Sequence, residues 1–441
     1  MKTSMTLGLA AVLAAGCLQA QDADVQTELA SQRARIAELE KQFAAKPAVT
    51  PFQFPQELTP YVLIDATLVN TSNNTATGKS KLDFSNQPWF SADRWGLRGM
   101  VNTNINSLTV VYKLESQFGI GDGGLSTTNV ETAATPAGTT PTNGGTEPVL
   151  FNRDAWVGVS SSTLGQLTFG RQNTLARDIS GIYGDPFGPA QFGYEEAGWT
   201  NSNNFKDLVN FAGSVDGSRM NKGVVWKKIT PSGVTLGLAY NLSDDTLVTP
   251  YANSTTQGFT STRDTTACAA LGYNSKSYNL SGFYSQANNA GFTQKAYSVG
   301  GNVNPNARLR VNVGLFRYSA DQGPVNGQRT DNAFTVSATF APSAIWNYSL
   351  GYQGWKANNA GTSAASNGNM TMPFANGDIA KGVASGARNT TYGAIMRSLS
   401  KRSEVYVCAD YEQLTEGFHL AATNGYRNQT ELGIGIRIRA L

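Results

Sequence analysis

The chain has 441 residues, with 34 Lys and Arg against 31 Asp and Glu, one histidine and three cysteines. So even a charge balance leaves no concentrated basic patch and excludes a nucleic-acid footprint. Beyond the first residues no apolar run approaches the ~20 that a membrane helix needs, so any crossing of a bilayer has to be made by strands.

At the N-terminus, Lys2 precedes an apolar stretch from Met5 to Ala15, and Leu18-Gln19-Ala20 suits cleavage before Gln21. Residues 1–20 therefore read as a secretory signal. Leu13-Ala14-Ala15-Gly16-Cys17 offers a competing lipoprotein reading, although Ala14 stands where a leucine is usual three residues before the cysteine. In residues 21–46 the apolar period becomes helical. Val25, Leu29, Gln32, Ile36, Leu39 and Phe43 form the a/d seam of a heptad. At about three heptads such a helix is marginal alone, so it gains stability by association with copies of itself or by a tether to something that oligomerises. A solvated amphipathic helix or spacer is the alternative. Pro47, Pro51, Pro55 and Pro60 then stop the helix and make residues 47–60 an extended linker.

From Tyr61 to Leu441 strand-like runs alternate with Gly-, Asn- and Thr-rich stretches. The last run is the clearest: Leu432, Ile434, Ile436, Ile438 and Ala440 point one way and Glu431, Gly433, Gly435, Arg437 and Arg439 the other. Sixteen strands are counted, centred near Ile64, Leu97, Tyr112, Val157, Leu167, Val225, Leu236, Leu271, Leu280, Val299, Val313, Val336, Leu350, Ala394, Val407 and Ile436. Short connections, such as Thr230 to Ser232 and Ser400 to Arg402, alternate with long ones, such as Thr71 to Ala92, Asn173 to Ser218 and Leu242 to Arg263. The fold class is accordingly all-β: a 16-stranded antiparallel transmembrane β-barrel preceded by a short α-helical coiled coil, with short turns at one rim and long loops at the other. An even count places both ends on the periplasmic side. Trp95, Trp156, Trp226, Trp346, Tyr240, Tyr273, Tyr352 and Tyr411 fall near strand ends, where membrane interfaces collect aromatics. Cys268 and Cys408 fall on non-neighbouring strands and read as separate thiols.

The segments Tyr61 to Ala66, Arg94-Trp95-Gly96-Leu97-Arg98-Gly99, Val111 to Phe118, Phe151 to Val159, Leu167 to Gln172 and Asn221 to Tyr240 occur in family order. With them the region resembles the trimeric, sixteen-stranded general porins of Gram-negative bacteria. It differs in ending on Ala440 and Leu441 where that family closes with phenylalanine, and in a longer loop after the fifth strand. The coiled coil lies outside the resemblance.

The resemblance implies that the loop Asn173 to Ser218 folds into the lumen. That loop carries Asp178, Asp185, Glu195, Glu196 and Asp207. Opposite it the wall is expected to be basic. Arg94 and Arg98 share a face with Gly96, and Lys113 lies opposite the apolar face of Leu108, Val110, Tyr112 and Leu114, so alternation sends all three inward. Arg153 and Arg171 match basic family positions, with lumen and rim placements both open. Acid facing base makes a transverse field across a narrow gap, whereas the plainer role for each charge is to solvate the lumen or pin the loop.

A catalytic reading is poor. The one histidine, His419, sits in an outer loop without a second base, a metal-ligand cluster or a nucleophile elbow. No catalytic residue, metal or cofactor is assigned. The expected function is a water-filled channel for passive diffusion of small hydrophilic solutes and ions. The expected form is a homotrimer in the outer membrane, in contact with membrane lipid and lipopolysaccharide, with the coil in the periplasm. A solute-selective channel for phosphate or sugar, or an envelope tether reaching the cell wall through the coil, are the alternatives.

Overall fold

The computed structural model describes residues 28, 30–35, 57–75, 77–85, 89–105, 107–121, 123–124, 150–194, 219–242, 244–248, 260–289, 292–321, 327–361, 383–420 and 426–440. The chain divides into two units, Met1–Phe54 and Pro55–Leu441. In the first, residues 30–35 are helical and exposed, and Gln32 donates to Glu28 at 3.3 Å. The signal, the linker up to residue 56 and the rest of the heptad seam lie outside the described residues.

Among its described residues the second unit is mostly strand, with one helix. Its strands are β1 (Thr59–Thr71), β2 (Lys81–Ser85), β3 (Arg94–Asn102), β4 (Leu108–Gln117), β5 (Asp154–Ser161), β6 (Gly165–Asn173), β7 (Arg219–Ile229), β8 (Val234–Asn241), β9 (Asp244–Val248), β10 (Thr260–Asn274), β11 (Tyr278–Asn289), β12 (Phe292–Asn306), β13 (Leu309–Asp321), β14 (Gln328–Phe340), β15 (Trp346–Gly361), β16 (Val383–Ser398), β17 (Ser403–Leu414) and β18 (Asn428–Ala440). The helix, α1, is Leu175–Gly184. Each strand pairs antiparallel with its neighbours, and β18 returns to β1 with Leu63 opposite Arg439 and Asp65 opposite Arg437. The sheet closes on itself and leaves no edge, the condition for strands to cross a bilayer.

Sixteen strands make the wall, and all sixteen expected centres fall within them. The other two are extensions. β2 pairs with the upper half of β1, while β3 pairs with its lower half, so β2, ending at Ser85, and β3, starting at Arg94, take one strand position. β9 likewise continues β8 along β10. The stretches read as long loops at Thr71 to Ala92 and Leu242 to Arg263 are thus partly wall.

Apolar side chains at alternate positions face outward. Leu432 and Ile434 are 56% and 59% exposed, whereas Arg437 on the other face is 6% exposed. Of the aromatics assigned to the interfaces, Trp156 is different: it stands directly opposite Lys113, a lumen residue, so it faces inward, and Val157 takes the outward position. The apolar neighbours on both sides of Trp156 had made the two faces look alike. Cys268 and Cys408, on β10 and β17, are separate buried thiols.

Candidate functional site

Thr174 starts α1: its hydroxyl accepts from the Arg177 N–H at 3.1 Å, satisfying one of the helix's unpaired first-turn donors. Leu175, Ile179, Ile182 and Tyr183 follow at helical spacing and make one apolar stripe. That stripe packs inside the barrel against Val225, Ala239, Ala270, Ala296, Phe316 and Ala333. The wall there is lined with small residues, so the helix lies close to it. The Tyr183 ring enters a slot over Gly300 and Gly314, which face each other on β12 and β13, and its hydroxyl meets Ser298 at 2.5 Å.

Beyond α1 the loop stays on the inner wall. Arg310 of β13 donates to the carbonyls of Pro186 and Gly188, and Thr339 of β14 donates to that of Pro186. Asn302 donates to Ala190 at 2.6 Å and Asn274 to Phe192 at 2.9 Å. These bonds carry the segment from the long-loop rim to the short turns. The stretch before β3 meets the loop tip from another side. Trp89 and Phe90 turn inward, and Phe187 packs against them at 5.9 and 4.5 Å between ring centroids. Phe90 also touches Tyr406 at 4.5 Å, with the Arg437 guanidinium over its ring. The inturned segment is held by β1: Ser91 N–H donates to Asp65, and Asp65 N–H donates to Asp93 at 2.6 Å.

The described part of the loop, residues 173–194, lies against the inner wall. Its two described acids take the pinning role. Asp178 accepts from Lys227 of β7 at 2.5 Å and from Asn173 at 3.0 Å, so it pins the helix to the wall. Asp185 ends the helix and accepts from the Phe187 N–H at 2.9 Å. Burial pushes its carboxyl up to about 6, with Arg310 and Arg437 pulling the other way. Burial also lifts Asp93 to about 6, opposed by the hydrogen bond from Asp65 N–H. Glu195, Glu196 and Asp207 lie outside the described residues.

Arg94, Lys113 and Arg153 converge on β3 to β5 around Glu115. Lys113 lies 3.3 Å from Glu115 and 2.6 Å from Asp154, Arg94 lies 3.8 Å from Glu115, and Arg153 bonds Glu115 and, at 2.8 Å, Gln117. Arg219 of β7 joins at 3.8 Å from Asp154. Tyr61 donates to Glu115 at 2.7 Å. Among the described residues, four cations gather around two carboxylates. Arg98 faces the lumen lower on β3, 5.6 Å from the Tyr61 ring centroid. Arg171 does not join the cluster. It shares the outward parity of Phe169 and donates to the Asn152 carbonyl and to Asn221 at the strand end. Among the described residues, Glu115 and Asp154 of the wall face these cations, and Lys227 pairs with Asp178 of the loop.

His419 places Nδ1 3.0 Å from its neighbour Leu420's carbonyl oxygen. Among the described residues there is no group of three metal-ligating side chains.

A closed sixteen-stranded barrel with an apolar outer belt and an inwardly anchored helical loop defines a transmembrane β-barrel protein of the outer-membrane type. The chain belongs to the Gram-negative porin family, whose model matches residues 8–416. It is 29% identical over 153 residues to an outer membrane porin protein of Bordetella pertussis, a match covering 35% of this chain and 31% of that relative. The chain therefore spans about a third of the curated relative's length in that match. Among solved structures, an anion-selective porin from Comamonas acidovorans superposes with a TM-score of 0.60 at 16% identity, covering 87% of this chain and 99% of that one. OmpT, an outer membrane protein of Vibrio cholerae, gives 0.56 at 13% identity, covering 88% and 99%.

Proposed function

We propose that the protein is a passive channel for small hydrophilic solutes and ions, with a preference for anions set by the wall charges of β3 to β7. The observation that supports this reading is the gathering of the cations Arg94, Lys113, Arg153 and Arg219 on the lumen wall around Glu115 and Asp154. Charges inside a lumen are only partly screened, and a surplus of one sign raises the local concentration of the other. The fold neighbour from Comamonas acidovorans is named as anion-selective, which accords with the same preference here. Passage involves no bond making, and we assign no catalysis to the lone histidine.

We further propose that the working form is a homotrimer with its short turns and N-terminal coil in the periplasm. A trimer form is among the OmpT structures that share the fold. The coil then adds association or reaches the cell wall, while lipid and lipopolysaccharide surround the barrel. The test is a planar bilayer with unequal KCl on the two sides. Zero-current potential of anion-preferring sign is expected, moving toward the cation side in Arg153→Gln and Arg219→Gln. A cation-preferring wild type, or variants with unchanged potential, refutes the assignment.

A further inference from the structure

Arg397 closes β16 on the outer face of the barrel, directly opposite Trp346 of β15 and Val405 of β17. Its parity is that of Ile395 and Leu399, which are 48% and 55% exposed, so a cation interrupts the apolar belt close to the short-turn rim. The guanidinium lies 5.6 Å from the Trp346 ring centroid, and Trp346 stacks on Tyr348. Beside it, between the turn before β15 and the turn after β16, opens a cavity of about 520 Å³. Its walls carry Arg397, Lys401, Arg439 and Glu404 together with Ile345 and Leu399.

The charges in this cavity do not cancel. Glu404 bonds Arg437 on the lumen side and lies 3.4 Å from Arg439. Arg397 and Lys401 have no carboxylate within ion-pair distance among the described residues. An outward cation on a barrel is tolerated near the interface and costs more with depth. Here it sits between apolar positions, Ile395 toward the membrane and Leu399 toward the rim. Neither the strands nor the turns supply the missing anion. The surrounding lipid leaflet does: a phosphodiester group lies at the depth of an interfacial tryptophan, and basic pockets at that depth bind anionic headgroups.

We propose that the Arg397–Lys401 cavity binds the phosphate of an anionic glycerophospholipid from the leaflet at the short-turn rim. Arg397 supplies a planar pair of donors for the phosphate oxygens. Lys401 supplies a second positive charge from the turn. The acyl chains lie along the outward side chains of Ile395 and Val407, which pair across β16 and β17. A free phosphate ion would use the two cations and leave this apolar flank unused.

The experiment is native mass spectrometry of the full folded chain, released from detergent after delipidation and titration with phosphatidylglycerol. Wild type is expected to retain one tightly held lipid. Arg397→Gln and Lys401→Gln are each expected to weaken retention roughly five- to tenfold, and Arg397→Lys to weaken it less. Arg317→Gln removes an outward cation near the opposite rim and is expected to leave this lipid in place. Circular dichroism verifies the barrel in every variant, and Lys401→Gln, in a turn, gives an independent reading should Arg397→Gln fail to fold. The proposal is overturned if wild type holds no lipid, if the two variants hold it as tightly as wild type, or if Arg317→Gln loses it equally. It is also overturned if inorganic phosphate or glycerol 3-phosphate competes as well as the lipid. None of these outcomes bears on ion selectivity, which the bilayer experiment reads separately.

Discussion

Replacing Gly314 by alanine places a methyl group in the slot that receives Tyr183. The added Cβ would lie 2.5 Å from Tyr183 Cδ2 and 2.9 Å from Cε2, with Thr335 Cγ2 at 3.1 Å. The first two distances are well inside van der Waals contact, so the ring, and α1 with it, has to move. Overpacking of this kind costs about 1–3 kcal/mol. Tyr183→Ala alone removes a fully buried ring and costs about 3–5 kcal/mol. Because the clash is with the ring itself, Gly314→Ala should cost little once Tyr183 is already alanine. The double variant is then less unstable than the sum of the two by about 1–3 kcal/mol, beyond the ~0.5 kcal/mol scatter of independent sites. Gly300 supplies the contrast. Its added Cβ meets Tyr183 at 2.5 Å but also the Val313 carbonyl oxygen at 2.6 Å, so Tyr183→Ala relieves only part of its cost. Denaturant unfolding in lipid vesicles measures both cycles, and single-channel conductance reports the displaced helix. Additive costs for Gly314→Ala and Tyr183→Ala would show that α1 does not rest in this slot.

The Asp185 carboxyl lies above its ordinary value of 3.8, at about 6, chiefly through burial. A carboxyl raised in the docked loop favours docking fully below the free-chain value, and that stability is lost as pH rises through about 6. Tip docking should weaken by on the order of 3 kcal/mol across this window. Open-channel current noise should then be lower at pH 4 than at pH 7.5, and Asp185→Asn should reduce the difference; noise growing on acidification would contradict this. Lys227→Met leaves Asp178 buried without its cation and should destabilise by about 3–5 kcal/mol, whereas adding Asp178→Asn should recover much of that, as read from the unfolding midpoint. Phe187→Ala removes ring contacts to Trp89 and Phe90 worth about 0.5–1.5 kcal/mol each, while the Arg310 bonds persist. Current fluctuations should become more frequent with mean conductance little changed; a collapse of conductance would mean the tip is held by these rings alone.

Strand positions were legible because lipid imposes a strict outward alternation. Ile434, Ile436 and Ile438 could be placed from their spacing, and the structure leaves each of them exposed. The inward direction of Arg94, Arg98 and Lys113 followed from the same parity. Glu115 was equally legible, two residues after Lys113, but its place as the hub of the wall charges was not. That depends on register, since Asp154 reaches the cluster by standing opposite Glu115, and Arg219 arrives from β7. Parity decides a face; only pairing decides a neighbour. In the loop, parity has no meaning, so the charges of Asp178 and Asp185 could be counted without showing what they face.

The same limit explains why α1 was passed over. Leu175, Ile179, Ile182 and Tyr183 show a helical stripe in the sequence, but its receptor is scattered through Ala239, Ala270, Ala296 and Ala333 on four different strands. Each of those positions faces the lumen, where a water-filled barrel calls for polar side chains. Under the helix the wall of β8 and β10 to β14 is therefore apolar on both faces, which blurs the alternation where the loop needs support. Beyond the helix the same strands carry polar lumen residues such as Asn302, Asn312 and Asp331, and the Arg94, Lys113, Arg153 and Arg219 cluster gathers between β3 and β7. The covered wall and the charged wall are complementary results of one choice: small apolar residues hold the described loop on one side, while the cluster around Glu115 gathers on the other.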